Sequence, residues 1–144
     1  MSVELTKIFT AVDAALKRNL EGITHEDSIK HIENANSINW ILGHIVVSRN
    51  GILSAMGLPA VASDKHKAIY ERGSKMMTDM SLAEKLETLL ELFDEEQKKI
   101  LEGVAKVSDN AVKERVAFLG FHEGYHVGQI ATMRKLLGKE GAIK

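Results

Sequence analysis

Residues 119–137 read LGFHEGYHVGQIATMRKLL. Through this stretch Leu119, His122, His126, Ile130, Met133 and Leu137 advance by steps of three, four, four, three and four. That is the repeat of one face of an α-helix, so two histidines fall in the stripe that this helix turns toward a core. Working outward, Ser108 or Asp109 supplies an N-cap, Val112 and Val116 continue the stripe, and Gly138 ends it.

The same period recurs three more times. Leu5, Ile8, Phe9, Val12, Leu16 and Leu20 mark a first helix over about Val3 to Leu20, stopping near Gly22. A second follows Asn36 or Ser37 and runs through Ile38, Ile41, Leu42, Ile45, Ile52 and Met56 to the stop Gly57-Leu58-Pro59. Ala60 to Met80 mixes small, basic and polar residues around Gly73 and reads as a long connection of crossover length, with room for one short helix. The third long helix is expected to start at the capping-box pattern Ser81-Leu82-Ala83-Glu84 and to carry Leu82, Leu86, Leu89, Leu90, Phe93, Ile100 and Leu101. With one proline and no convincing strand, the fold class is all-α, and four long amphipathic helices imply a bundle. At 144 residues the chain is expected to form one domain spanning 1–144.

Composition narrows the function. The 19 basic and 20 acidic residues nearly cancel, so nothing suggests a nucleic acid or an anionic membrane as partner. No leader pattern opens the chain and no apolar run approaches the roughly 20 residues that span a bilayer, so a cytoplasmic protein is expected. Cysteine is absent, which removes disulfides, thiolate ligands and an internal thiol nucleophile together.

The histidines carry the chemistry. His122 and His126 are one turn apart and can converge on one ion. On the second helix Ser37, Ile41, His44, Ser48, Gly51 and Ala55 form another stripe that points His44 inward. A lone inward histidine is ordinarily a hydrogen-bonded core residue. Three of them would leave several ring nitrogens to satisfy, at about 1–3 kcal/mol for each that is not, so a divalent metal is the better reading. Three nitrogen ligands leave a tetrahedral ion an open position, which suits Zn²⁺ or Ni²⁺ and could take an external thiol as thiolate. His25, His31 and His66 fall in polar connections and are expected to be solvent-exposed.

Four neighbours are candidates for the pocket. Trp40, one turn before His44, could wall the metal, although core packing explains it equally. Gln129 could reach the pocket from three residues beyond His126, so Trp40 and Gln129 are the candidate cofactor-contacting residues, with Tyr125 and Arg49 nearer the rim. Gly120, Gly124 and Gly128 recur every four residues, about 200° from the histidine row, at a cost of about 1 kcal/mol each relative to alanine. Close approach of another helix, from a second subunit or from the same chain, would offset that cost.

With these residues in place, the sequence resembles the damage-inducible DinB-like superfamily, which includes bacillithiol transferases and mycothiol-dependent maleylpyruvate isomerases. The resemblance spans nearly the whole chain and is carried by Asn36-Ser37-Ile38-Asn39-Trp40-Ile41-Leu42-Gly43-His44 and by His122-Glu123-Gly124-Tyr125-His126-Val127-Gly128-Gln129-Ile130. It implies an up-down-down-up four-helix bundle with a long crossover between its second and third helices, metal ligands at His44, His122 and His126, and frequently a homodimer. The activities it implies are transfers or isomerisations that use a low-molecular-weight thiol of the bacillithiol, mycothiol or glutathione type.

His122-Glu123-Gly124-Tyr125-His126 also satisfies the H-E-x-x-H pattern of zinc proteases. The extended metzincin form needs glycine and histidine where this chain has Gln129 and Thr132. The form with a downstream glutamate finds only Glu140, beyond the stop at Gly138. One residue from His122 is a turn of about 100°, which places Glu123 on the surface or behind the ligands. Three classes of function follow: a metal-dependent transferase acting on a small thiol and an electrophilic substrate, a non-catalytic metal- or ligand-binding bundle, and a thiol-independent metal-assisted hydrolase.

Overall fold

The computed structural model describes residues 2–74 and 79–143; the part of the expected connection at 75–78 lies outside them. The described residues are all-α, with no strand. Six α-helices follow one another: α1 (Val3–Leu20), α2 (His25–Ser28), α3 (Ile38–Ala55), α4 (Asp64–Tyr70), α5 (Leu86–Val104) and α6 (Asn110–Leu136).

Local chemistry sets most of these boundaries. The Ser2, Ser37 and Asp109 side chains accept from the backbone N–H groups of Leu5, Trp40 and Val112, each satisfying a donor that the helix start leaves without a partner. α4 is the short helix expected within the long connection. α2 was not anticipated, although its capping box is reciprocal: Thr24 accepts from Asp27 N–H and the Asp27 carboxylate accepts from Thr24 N–H.

The third long helix begins at Leu86, not at Ser81. Met80–Leu82 form a 3₁₀ turn, and Leu82 is exposed. The residues of the expected capping box are engaged elsewhere. The Ser81 hydroxyl donates to Asp79, Glu84 N–H donates to the Tyr70 hydroxyl, and the Glu84 carboxylate accepts from Lys85 N–H and lies 3.1 Å from His66 Nε2.

The four long helices meet pairwise, α1 with α6 and α5, and α3 with α6 and α5. Their buried faces form two apolar clusters. One gathers Leu16, Leu20, Ile41, Ile45, Phe93, Val127, Ile130 and Met133; the other gathers Leu5, Phe9, Ile52, Leu53, Ile100, Val104 and Val116. On each helix the two sets are separated by polar residues: Asp13 on α1, Arg49 on α3, Glu96 and Gln97 on α5, and Glu123 on α6. Arg49 donates from Nε and Nη2 to the two oxygens of Glu123, at 2.7 and 3.1 Å. It also donates to Phe93 O and to Gln97 Oε1, and Gln97 donates onward to Phe9 O. One buried network thereby ties all four long helices together across the middle of the core.

One expectation is corrected here and another is narrowed. Arg49 is not at a pocket rim: it is fully buried, with its guanidinium 3.6 Å from the centre of the Phe93 ring. Of the two places expected for Glu123, the surface is ruled out, since it is fully buried against Arg49. The charged ends of both satisfy each other, which is what permits burial.

Candidate metal centre

α3 presents His44, and α6 presents His122 and His126 one turn apart. The structure brings all three together, with one donor atom of each within 4.8 Å of the others. The ring centres lie 4.7 Å apart for His44 and His126, 5.5 Å for His44 and His122, and 4.4 Å for His122 and His126, and each pair meets edge to face.

Hydrogen bonds decide which nitrogens are available. His44 Nδ1 lies 2.8 Å from Tyr70 O, a carbonyl that can only accept, so Nδ1 carries the proton and Nε2 keeps its lone pair. His126 Nδ1 lies 2.7 Å from Gln129 Oε1, with the same consequence. Metal-binding imidazoles ordinarily have their second nitrogen tied to such an acceptor, which fixes both tautomer and ring orientation. His122 Nε2 is 3.0 Å from His126 Nε2, while His122 Nδ1 is buried with no partner among the described residues.

These positions fit a divalent ion. Tetrahedral zinc with nitrogen ligands has ligand separations of about 3.3 Å. The His122/His126 edge, at 3.0 Å, is already near that value, and all three donor atoms lie within 4.8 Å of one another. Burial first, then the neighbouring rings, lowers the pKa of His126 to about 4, with Gln129 opposing. Burial, His44 and Arg72 lower that of His122. Both effects keep the rings neutral, the form that binds a metal.

The surroundings sort the other candidates. Trp40 is buried and stacks on His44, with ring centres 4.9 Å apart and planes 7° from parallel, and its indole N–H donates to Ser74. Gln129 reaches the site through His126. Tyr125 meets His126 edge to face but is 60% exposed. A cavity of about 690 Å³ opens beside the site, with His44 and His122 in its wall.

A family model described as the DinB family matches residues 1–143. The chain belongs to the DinB family. No curated protein matches it significantly.

In this DinB-family chain the H-E-x-x-H look-alike resolves at Glu123. Both its carboxylate oxygens are engaged by Arg49 in a dry environment, so it is a structural anion and not a base facing the histidines. His25, His31 and His66 are not free surface groups: all three are half-buried. His25 Nδ1 accepts from Leu86 N–H, His66 pairs with Glu84, and His31 Nδ1 lies 3.3 Å from Ala35 O.

Sequence reasoning missed Tyr70 and Gly43. A backbone carbonyl acceptor leaves no trace in residue type. A Cβ on Gly43 would clash with the Tyr70 ring, so the glycine beside His44 is what lets Tyr70 pack there. The glycine row also divides. Gly120 lies against Ile8 and Phe9 of the same chain, whereas Gly124 and Gly128 face open space. Steps of four turn a helix by about 400°, so a row of three drifts by roughly 80° and does not share one face.

Proposed function

We propose that this protein is a metal-dependent transferase in which His44, His122 and His126 hold one divalent ion, zinc or nickel, that activates a low-molecular-weight thiol for attack on an electrophilic substrate. The observation that carries this reading is the pair of fixed tautomers: Tyr70 O and Gln129 Oε1 take the Nδ1 protons and turn the Nε2 lone pairs of His44 and His126 inward. When bound, such an ion leaves a position for a thiol and lowers its pKa, making it a nucleophile at neutral pH. Trp40 stiffens His44 and excludes water from one side, and Gln129 orients His126. Neutral His122 and His126 add no charge that would repel the ion. Glu123 is held by Arg49 through both of its oxygens and does not face the ion.

Metal analysis of the purified protein tests the centre first. Stoichiometric zinc or nickel, weakened in His126→Ala, is expected; absence of metal together with unchanged affinity in that variant would overturn the site. The loaded protein is then incubated with bacillithiol, mycothiol, glutathione or coenzyme A and monochlorobimane. Acceleration with one of these thiols is expected. None with any thiol would sink the transferase in favour of a non-catalytic bundle, and thiol-free ester hydrolysis would favour a hydrolase.

The reading extends to architecture and assembly. An up-down-down-up bundle in one domain, with a crossover between α3 and α5, is supported by paired contacts. Gly120 lies by Phe9 and Arg134 donates to Asn19 O, as expected if α1 and α6 run the same way; Gln97 beside Phe9 and Lys17 beside Asp94 suit an opposed α5. A homodimer through α6 is supported by Phe118, Phe121, Tyr125 and Leu136, which are 57–69% exposed beside open Gly124 and Gly128. Sedimentation showing a monomer at micromolar concentration would remove the dimer. A cytoplasmic location is consistent with the absence, among the described residues, of any helix long and apolar enough to cross a membrane.

A further inference from the structure

The cavity beside the histidines has an unusual wall. Lys67 on α4, Arg72 just after it and Arg115 on α6 line the same cavity as His44 and His122. All three cations are exposed, and none has an ion pair or side-chain hydrogen bond among the described residues. The carboxylate in the same wall is Asp64, in the first turn of α4, where the positive end of the helix favours it. Three cations against one anion make this wall positive on a chain whose net charge is −1, so the concentration of charge is local. Asn50, in the same lining, is already engaged: its amide accepts from Val61 N–H and Ala62 N–H and donates to Ala62 O.

We infer that this cavity binds the anionic end of a small substrate, a carboxylate or phosphate held by Lys67, Arg72 and Arg115, so that its other end reaches the His44/His122/His126 centre. The inference rests on the metal-site reading for what the histidines do. Unpaired like charges facing one space repel until an anion neutralises them, and guanidinium forks match carboxylate and phosphate oxygens two at a time. A volume of about 690 Å³ suits a metabolite-sized ligand and leaves no room for a folded partner. The anion can belong to the thiol or to the electrophile, and both sources use the same wall.

Calorimetric titration decides, using zinc-loaded protein with mercaptosuccinate, neutral 2-mercaptoethanol and thiol-free succinate at low and high salt. Wild type is expected to bind mercaptosuccinate at least about tenfold more tightly than 2-mercaptoethanol, with the preference shrinking in salt and falling below about twofold in Arg72→Ala/Arg115→Ala. Both arginines are exposed, so the double variant is expected to fold. Absence of a preference, or its survival in the double variant, would overturn the inference. Succinate that displaces mercaptosuccinate but not 2-mercaptoethanol assigns the anion to the electrophile, and succinate that displaces both assigns it to the thiol. Should the protein take up no zinc, the metal reading fails separately. Succinate titrated into metal-free wild type and double variant then decides: binding lost in the variant supports the cationic wall, and no binding to wild type overturns it.

Discussion

Gly43 and Tyr70 set the orientation of His44 from outside the site. Tyr70 is fully buried, its hydroxyl donates to Asn39 Oδ1 and accepts from Glu84 N–H, and its carbonyl takes the His44 proton. Burial pushes its phenol up to about 12, so the ring stays neutral throughout the working range. Gly43→Ala therefore has to move a side chain that is anchored at both ends. A loss of about 1–3 kcal/mol in stability is expected from overpacking, together with a roughly 10–100-fold loss in zinc affinity as His44 loses its anchor. Thermal melts and chelator competition measure the two effects. Retained affinity in a destabilised variant would show that Tyr70 only packs.

At the scale of the helix, α6 carries three glycines whose surroundings differ, so the same substitution should change sign along one element. Within one subunit Gly124→Ala and Gly128→Ala place a methyl in open space and remove a flexible residue from a helix interior, which is expected to stabilise the separated subunit by about 0.5–1 kcal/mol each. Gly120→Ala sets a methyl 2.9 Å from Ile8 Cγ2 and near the Phe9 ring, and is expected to destabilise by about 1–3 kcal/mol. Urea denaturation of the three variants reads the signs directly. A concentration-dependent penalty at Gly124 or Gly128 would instead mark those positions as covered by a second subunit. The start of α5 teaches a related lesson. Ser81 to Glu84 match a capping box in residue type, yet Tyr70, Asp79 and His66 claim the same polar groups, and the helix waits until Leu86.

For the molecule as a whole, the polar layer between the two apolar clusters dominates what pH and substitution should do. Glu96 is fully buried beside that layer, and neither of its carboxylate oxygens has a partner among the described residues. Burial foremost, then the charges of Glu123 and Glu95, raises its pKa to about 9, with Arg49 and Lys99 opposing. In the unfolded chain the same group titrates near about 4.3, so between those values the folded state holds one more proton than the unfolded state. The contribution of Glu96 to stability is complete below the unfolded value and declines as pH rises toward the folded one. Glu96→Gln should abolish that slope and exceed wild type by more than about 1 kcal/mol near pH 8, as measured by urea denaturation across the range. A wild-type stability that is flat from about pH 5 to 9 would contradict a neutral Glu96. Arg49→Ala should cost about 3–5 kcal/mol, because it leaves the Glu123 charge buried and unpaired. Loss of cooperative unfolding in that variant would have the same origin, and a loss below about 1 kcal/mol would show that the network is dispensable.

Periodicity sufficed for the helices and for the inward direction of His44, His122 and His126, because steps of three and four fix a face whatever packs against it. Residue type also marked two of the N-caps, Asn36 or Ser37 and Ser108 or Asp109, because the Ser37 and Asp109 side chains accept from donors only three residues ahead. What it could not settle was every feature in which two distant segments compete for one group. Glu123 lies on a helix flank whose surroundings depend on the other helices, and only their packing placed Arg49 against it. Tyr70 contributes a carbonyl, which every residue has. Lys67, Arg72 and Arg115 are ordinary surface cations in the sequence and become one charged wall only where α4 packs on α3 and the fold gathers them around one cavity. Local spacing determines direction, whereas partnership, burial and charge density depend on three-dimensional proximity, and that is decided by the tertiary structure.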